Sequence, residues 1–432
     1  MNVCLITLNF PYSVRSYLML PHLELCSISS ALKTTGEYEV SHVDLRAENL
    51  SVLDLVNDKR ISSADVFIFF STVNDHCEFN ITLKEVNKIN PRSKKILIGE
   101  ISSFLPVEIL QRNRLLDYVI VRDFTVSILG LLDFLKGKVF VQEVPNLYFR
   151  GDDNSIKKTN MLDLSYLWNT LPSPDRTIHD IEKYYSWSPE AILRSSMGCL
   201  GNCAFCSKTK FYPFRTKTMT RFFDEIEELM RLGFKRFFFS DETFAFSDQR
   251  LIAFQDEYDK RKLRFDYTSN IRISDINEFK LSILKNTGAY RVFTGVETLD
   301  AENSKIINKS NTFAKIKNAI DLIKKYDIEV HVSFILGCPG DTVETYKYTE
   351  EMIHLLNPTM VSFNMLRPMP GTDIYTNPNK YGILMEDRFW FERDDWTKEP
   401  VSYTRELSKN DILYWKKRLN KSFVLGRNHE RG

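Results

Sequence analysis

The chain has 432 residues and a formal net charge of +1, with 43% hydrophobic and 27% charged residues. That length predicts two or three domains of ordinary globular composition, and the charge balance gives no electrostatic case for nucleic acid or an acidic membrane. Seven cysteines, unevenly placed, are too few for a disulfide scaffold.

The first residues, Met1 to Phe10, carry a short apolar run without the basic region and small-residue cleavage site of a signal peptide. No stretch is long and apolar enough to span a bilayer. Residues 1–140 alternate short apolar runs with amphipathic stretches. Strands are predicted at Val3–Leu8, Glu39–Val43, Val66–Phe70, Lys95–Ile98 and Tyr118–Val121, with helices at Leu23–Lys33, Ile81–Ile89 and Val126–Lys136. Strand–helix alternation at this spacing predicts a doubly wound parallel sheet, Rossmann-like, with function in the loops beyond the carboxyl ends of its strands.

Residues 141–189 read as a linker. A hairpin with Gly151–Ser155 at its tip is predicted inside it, and Leu171-Pro172-Ser173-Pro174-Asp175-Arg176 is stiffened by two prolines. Residues 190–372 change register. Six strands, near 191–195, 235–240, 264–269, 291–294, 329–336 and 359–364, alternate with five amphipathic helices. This pattern predicts a partial (β/α)6 barrel with its chemistry at the carboxyl ends of the strands. Residues 373–432 form a small α-rich extension, with an aromatic stretch (Phe389, Trp390, Phe391, Trp396) and a charged amphipathic helix. It is expected to cover the barrel's open edge or its mouth.

The chain is organised around Arg194–Ser207, R-S-S-M-G-C-L-G-N-C-A-F-C-S. Cys199, Cys203 and Cys206 fall in a C-x3-C-x2-C pattern just after the first barrel strand. No second Cys or His pair follows at zinc-ligand spacing, whereas thiolates are the usual ligands of iron–sulfur clusters. Three cysteines on a 4Fe-4S cluster leave one iron open to a non-protein ligand. Gly198 and Gly201 let the backbone fold tightly around such a core. An oxygen-labile cluster needs a reducing compartment, so a cytoplasmic location is expected.

With Phe205 before the last cysteine, this loop resembles the signature of radical S-adenosylmethionine (SAM) enzymes. The resemblance implies that the open iron chelates SAM and that an electron splits it into methionine and a 5′-deoxyadenosyl radical. It assigns SAM-pocket residues to successive strand ends. Asp241, Glu242 and Thr243 follow the second strand, Asn270 and Arg272 the third, and Gly337 and Pro339 lie in a G-x-P-G turn after the fifth. Glu297, ending the fourth strand, is implied to act on the SAM ribose or the substrate, and Cys338 to be a packing residue.

The first 140 residues resemble the cobalamin-binding domain that often precedes a radical SAM barrel, and the L-P-x-P-D-R linker is similar too. Ser71, Thr72 and Gly99 are the positions implied to border the cobalamin tail. The family's glycines are replaced at Glu100 and across Val121-Arg122-Asp123-Phe124, and the D-x-H-x-x-G motif is missing. The whole implies cobalamin-dependent methyl transfer to an unactivated carbon of a small-molecule or peptide substrate. Electrons would come from a donor such as flavodoxin or ferredoxin. The alternative is a radical SAM enzyme with a vestigial first domain that performs cyclisation, rearrangement or epimerisation. A methylthiotransferase would need a second cluster from Cys4, Cys26 and Cys77, and a non-enzymatic cluster protein would leave the strand-end pattern unexplained.

Overall fold

The computed structural model describes residues 1–10, 21–188 and 190–430. Its architecture is α/β, and the chain separates into two compact units. The first holds residues 1–189 with 211–213 and 391–397; the second holds the remainder. Among the described residues, no helix is long and apolar enough to cross a membrane.

In the first unit, β1 (Asn2–Thr7), β2 (Glu39–Asp44), β3 (Val66–Ser71), β4 (Lys94–Gly99), β5 (Tyr118–Ile120), β6 (Leu147–Arg150) and β7 (Ile156–Lys158) form one sheet. Its order is β2-β1-β3-β4-β5-β6-β7. The first five strands are parallel. Strand β3, V-F-I-F-F-S, is buried at all six positions, which is why it reads as an unbroken apolar run and not as an alternation. Order 2-1-3-4-5 reverses between β1 and β3, so the carboxyl ends of those two strands border the crevice where such sheets take ligands.

The stretch read as a linker is more built than expected. Its hairpin supplies β6 and β7, which extend the sheet antiparallel to β5. The proline-stiffened segment is tied down as well. Asp175 accepts from Ser29 Oγ at 2.8 Å and Lys33 Nζ at 2.7 Å. His42 Nδ1 donates to the Ile178 carbonyl at 2.7 Å. His179 Nδ1 and Tyr184 Oη reach Asp44 Oδ2 at 3.1 and 2.7 Å.

The second unit contains β8 (Glu190–Leu193), β9 (Ser196–Met197), β10 (Arg215–Thr216), β11 (Arg236–Phe239), β12 (Asp266–Asn270), β13 (Ala289–Glu297), β14 (Glu329–Leu336) and β15 (Met360–Met365). Strands β8, β11, β12, β13, β14 and β15 lie side by side in chain order, all parallel, as the partial barrel. Thr218, Ser247, Asn277, Thr312 and Thr342 each cap the helix that follows, accepting a hydrogen bond from its first turn. Each cap is worth about 1 kcal/mol. The phenylalanines are used in the core. Phe222, Phe223, Phe237, Phe239, Phe244 and Phe254 are fully buried, and Phe239 stacks on Tyr267 at 4.4 Å. Burial of each ring stabilises by roughly 1.5–3 kcal/mol.

The last helix, Lys409–Glu430, packs on the edge strand β15 and against the helix Val343–Leu356, where Arg418 pairs with Glu350. Of the two roles expected for the extension, this contact is edge cover.

Candidate active site at the carboxyl rim of the barrel

Because the six strands run parallel, their carboxyl ends share one rim, and every residue assigned to the SAM pocket lies within a few positions of it. The cysteine loop leaves β8 through a fixed corner. Ser195 N–H, Ser195 Oγ and Ser196 Oγ all donate to Asp241, at 2.7, 2.5 and 2.6 Å. Arg250 donates to the Ser195 carbonyl at 2.8 Å. Burial raises the Asp241 carboxyl, against those three hydrogen bonds. Asp241 was expected to contact SAM; its carboxylate is spent on the corner, because a strand-to-loop turn this deep must satisfy its own polar groups. Asn270 is engaged similarly, its amide donating to the Asp241 carbonyl at 2.7 Å.

Glu242 is the carboxylate of this motif that meets the loop, close enough to Cys206 to add to the rise of its thiol. Thr243 Oγ1 donates to Asp275 at 3.3 Å, and Asp275 takes both arms of Arg272 at 2.7 and 2.8 Å. A bidentate carboxylate fixes a guanidinium in plane as well as in position. That places Arg272 beside the sulfurs. At Gly201, an added β-carbon would sit 3.5 Å from Cys199 Sγ and 4.0 Å from both Cys203 Sγ and Arg272 Nη1. Gly198, at φ +78°, supplies the left-handed turn just before Cys199.

The three cysteines are partly buried. Burial pushes the Cys206 thiol up to about 12 and raises Cys203, so a metal must displace their protons to bind. Two of the three thiols and a guanidinium flank one glycine, an arrangement that suits a cluster presenting an open iron. Ala204, between two of them, joins Cys338, Leu366, Ile374 and Ile383 in an apolar cluster, with Phe205 packed against it. Cys338 is fully buried there, and burial raises its thiol well above the ordinary value. That is a packing environment.

Gly337 has φ +82°, and its N–H donates to Asp341 Oδ2 at 3.0 Å and Tyr346 Oη at 2.6 Å. Cys338 N–H donates to the same carboxylate at 3.0 Å, and Asn303 to its other oxygen at 3.2 Å. The G-C-P-G turn, with Pro339 buried in it, is thus wound around Asp341. Glu297 ends β13 with φ +67°, and Lys309 lies 3.3 Å from its carboxylate. Asp275, Asp341 and Lys309 were not legible beforehand. They hold other residues in place, and no short motif spacing marks them.

At the carboxyl edge of the first unit's sheet, Thr72 N–H donates to Asp75 Oδ1 at 2.6 Å, and Asp75 pairs with buried Arg46 at 3.0 Å. Ser71 Oγ bonds His76 Nδ1 at 2.9 Å, while His76 Nε2 is buried with no hydrogen-bond partner among the described residues. Gly99 has φ +126°, and a β-carbon there would meet the Ser71 carbonyl oxygen at 2.0 Å. This glycine answers the crowding of two strands. Glu100 is buried, and Arg122 holds a left-handed φ of +61°. Cys4, Cys26 and Cys77 are buried in a strand and two helices and form no cluster among the described residues.

The sequence profile of the radical SAM superfamily matches residues 193–353. Among similar curated proteins, an uncharacterized methyltransferase of Pyrococcus horikoshii, PH0819, is 22% identical over 94% of this chain and 87% of its own length. The anaerobic magnesium-protoporphyrin IX monomethyl ester cyclase of Rubrivivax gelatinosus is 26% identical over 81% of this chain; the match spans 64% of the cyclase. Among solved structures, the radical SAM methyltransferase TsrM from Kitasatospora setae, with cobalamin and a 4Fe-4S cluster bound, superposes with a TM-score of 0.78. Identity is 15%, and the match covers 97% of this chain and 90% of TsrM. The cobalamin-dependent radical SAM enzyme OxsB gives 0.77 at 16% identity, covering 98% of this chain and 67% of OxsB. Residues 193–353 thus carry a radical SAM domain, and profile and rim agree on an enzyme whose chemistry uses a 4Fe-4S cluster and SAM.

Proposed function

We propose that the enzyme reductively cleaves SAM and uses the resulting radical to transfer a methyl group to an unactivated carbon of a small-molecule or peptide substrate, with a corrinoid as methyl carrier. The observation that carries the first half is the convergence of Cys199, Cys203 and Cys206 with Glu242, Arg272 and Glu297 on one rim. In this reading the three thiolates hold three irons, Glu242 accepts from the SAM ammonium, and Arg272, fixed by Asp275, faces its carboxylate. The G-C-P-G turn around Asp341 lines the adenine side, and Glu297 serves the ribose or the substrate. Phe205 and its apolar neighbours keep water from a radical that would otherwise be quenched. Electrons would come from a flavodoxin- or ferredoxin-type donor.

Support for methyl transfer comes from the methyltransferase relatives and from the likeness of the fold to TsrM and OxsB. A corrinoid, when bound, supplies a transferable methyl group. The first unit fits one in two respects. Ser71 and Thr72 are small at the β3 end, and Ser71 holds His76 so that an imidazole nitrogen has no partner among the described residues, with burial pushing its pKa down to about 3 and keeping the ring neutral. Buried Glu100 crowds the same edge, and this favours the second reading, a first unit that serves as scaffold for a cyclisation, rearrangement or epimerisation. Anaerobic reconstitution with hydroxocobalamin, desalting and a visible spectrum separate the two. Stoichiometric retention is expected for methyl transfer. No retention, with SAM cleavage intact, would overturn the corrinoid half and leave the scaffold reading.

A further inference from the structure

An enclosed ion pair stands behind the cysteine loop. Lys309 Nζ lies 3.3 Å from Glu297 Oε1, with the two side chains 17% and 8% exposed. Nζ also donates to the Gly295 carbonyl at 3.2 Å. Charges this sheltered persist only where their partners offset the lost hydration.

Four local features converge on seating this pair. Glu297, Asn308 and Ser310 hold φ of +67°, +60° and +51°, a region that residues other than glycine seldom adopt. The β13–β14 register shifts between Gly295 and Glu297, and such bulges re-aim side chains. At Gly295, a β-carbon would lie 2.0 Å from Glu297 Oε1 and 3.0 Å from Lys309 Nζ. The Ala204 amide donates to the Ile307 carbonyl at 3.1 Å, so the turn bearing Lys309 is bonded to the cysteine loop itself.

The Lys309 ammonium and the Glu297 carboxylate both act electrostatically on Cys203.

We infer that Lys309 sets the reduction potential of the cluster, with Glu297 as its counter-charge. The inference rests on the proposed reading of the three cysteines as cluster ligands. One electron from an external reductant makes the cluster and its thiolates more negative by one charge, with no bond made or broken. A fixed ammonium nearby favours that state and a fixed carboxylate opposes it. Lys309 therefore eases the electron's entry, and Glu297 limits how far.

The test is a dithionite redox titration of the anaerobically reconstituted full-length protein, followed by electron paramagnetic resonance without SAM. Lys309→Met is expected to lower the midpoint potential at unchanged iron and sulfide content. Lys309→Arg should restore most of the loss, and Glu297→Gln should raise the potential. An unchanged midpoint in Lys309→Met with a full cluster overturns the inference, as does a change confined to SAM affinity. Should Lys309→Met fail to assemble the cluster, Glu297→Gln decides alone, and an unchanged midpoint there overturns it. A wild-type protein that binds no 4Fe-4S cluster would refute the ligand reading itself, which iron analysis distinguishes from a loaded cluster of unaltered potential.

Discussion

Ala204 donates its amide hydrogen to the carbonyl oxygen of Ile307 at 3.1 Å, so the loop that carries the cysteines and the turn that carries Lys309 are one hydrogen-bonded assembly. Sequence places these residues a hundred positions apart. Parallel strand order brings them to one rim, and the hydrogen bond fixes their spacing.

The cluster ligands are the first expectation. Replacing Cys199, Cys203 or Cys206 by Ala removes one of three protein ligands and should cut iron content well below four per chain after anaerobic reconstitution. Cys338→Ala should keep a full complement of iron, because Cys338 lies in an apolar cluster, and should cost about 1 kcal/mol of stability for the lost packing. Full iron in Cys203→Ala would refute the assignment.

SAM recognition is separable from cluster assembly. Glu242→Gln and Arg272→Ala should each weaken SAM binding by about 1.5–3 kcal/mol, roughly ten- to a hundredfold in Kd, with cluster content unchanged. Asp275→Asn should weaken it less, since it loosens Arg272 without removing it. Equilibrium binding to the oxidised, reconstituted protein measures all three.

Gly295 offers a substitution that the fold tolerates and the site does not. Its φ is not left-handed, and the atom an added β-carbon would strike is the far end of the Glu297 side chain, not backbone. Gly295→Ala should keep the melting temperature and iron content near wild type while displacing the Glu297 carboxylate. Turnover should fall by about a hundredfold, as misplacement of a reacting group predicts. Unchanged turnover would mean that Glu297 does not face the reaction.

Much of this was legible in the sequence, and the reason is physical. The cysteine spacing is local, and the barrel's strand–helix alternation is periodic, so both survive without knowledge of long-range contacts. The partners of Asp241, Ser195 and Ser196, were not legible, because tertiary packing sets them while its neighbourhood in sequence shows only the resemblance to a SAM-binding motif. At Gly99 the sequence could not separate two demands, since crowding against Ser71 and approach to a cofactor both require a missing side chain. The hairpin at 147–158 showed as a hairpin, yet nothing local announced that it would pair with β5. Lys309 and Asp341 left no signal, because charged residues in loops are ordinarily solvated.

The His179–Asp44 pair gives a pH expectation for the linker. Burial alone would lower His179, but Cys26 and the Asp44 hydrogen bond outweigh it and raise the imidazole to about 9. A folded-state pKa above the unfolded 6.5 means that the stabilisation is complete below 6.5 and lost as pH rises through about 9. His179→Gln should therefore cost about 3 kcal/mol below pH 6.5, with the difference from wild type shrinking toward high pH. Chemical denaturation of both proteins across that range is the measurement. A pH-independent difference would remove the charge from the account.

The central claim is that this rim cleaves SAM reductively. Wild-type protein, reconstituted anaerobically and given dithionite and SAM, should form 5′-deoxyadenosine and methionine in equal amounts, while the Cys203→Ala variant forms neither. Chromatography with mass detection reads both products. Intact SAM in the presence of a fully loaded and reduced wild-type cluster would contradict the account.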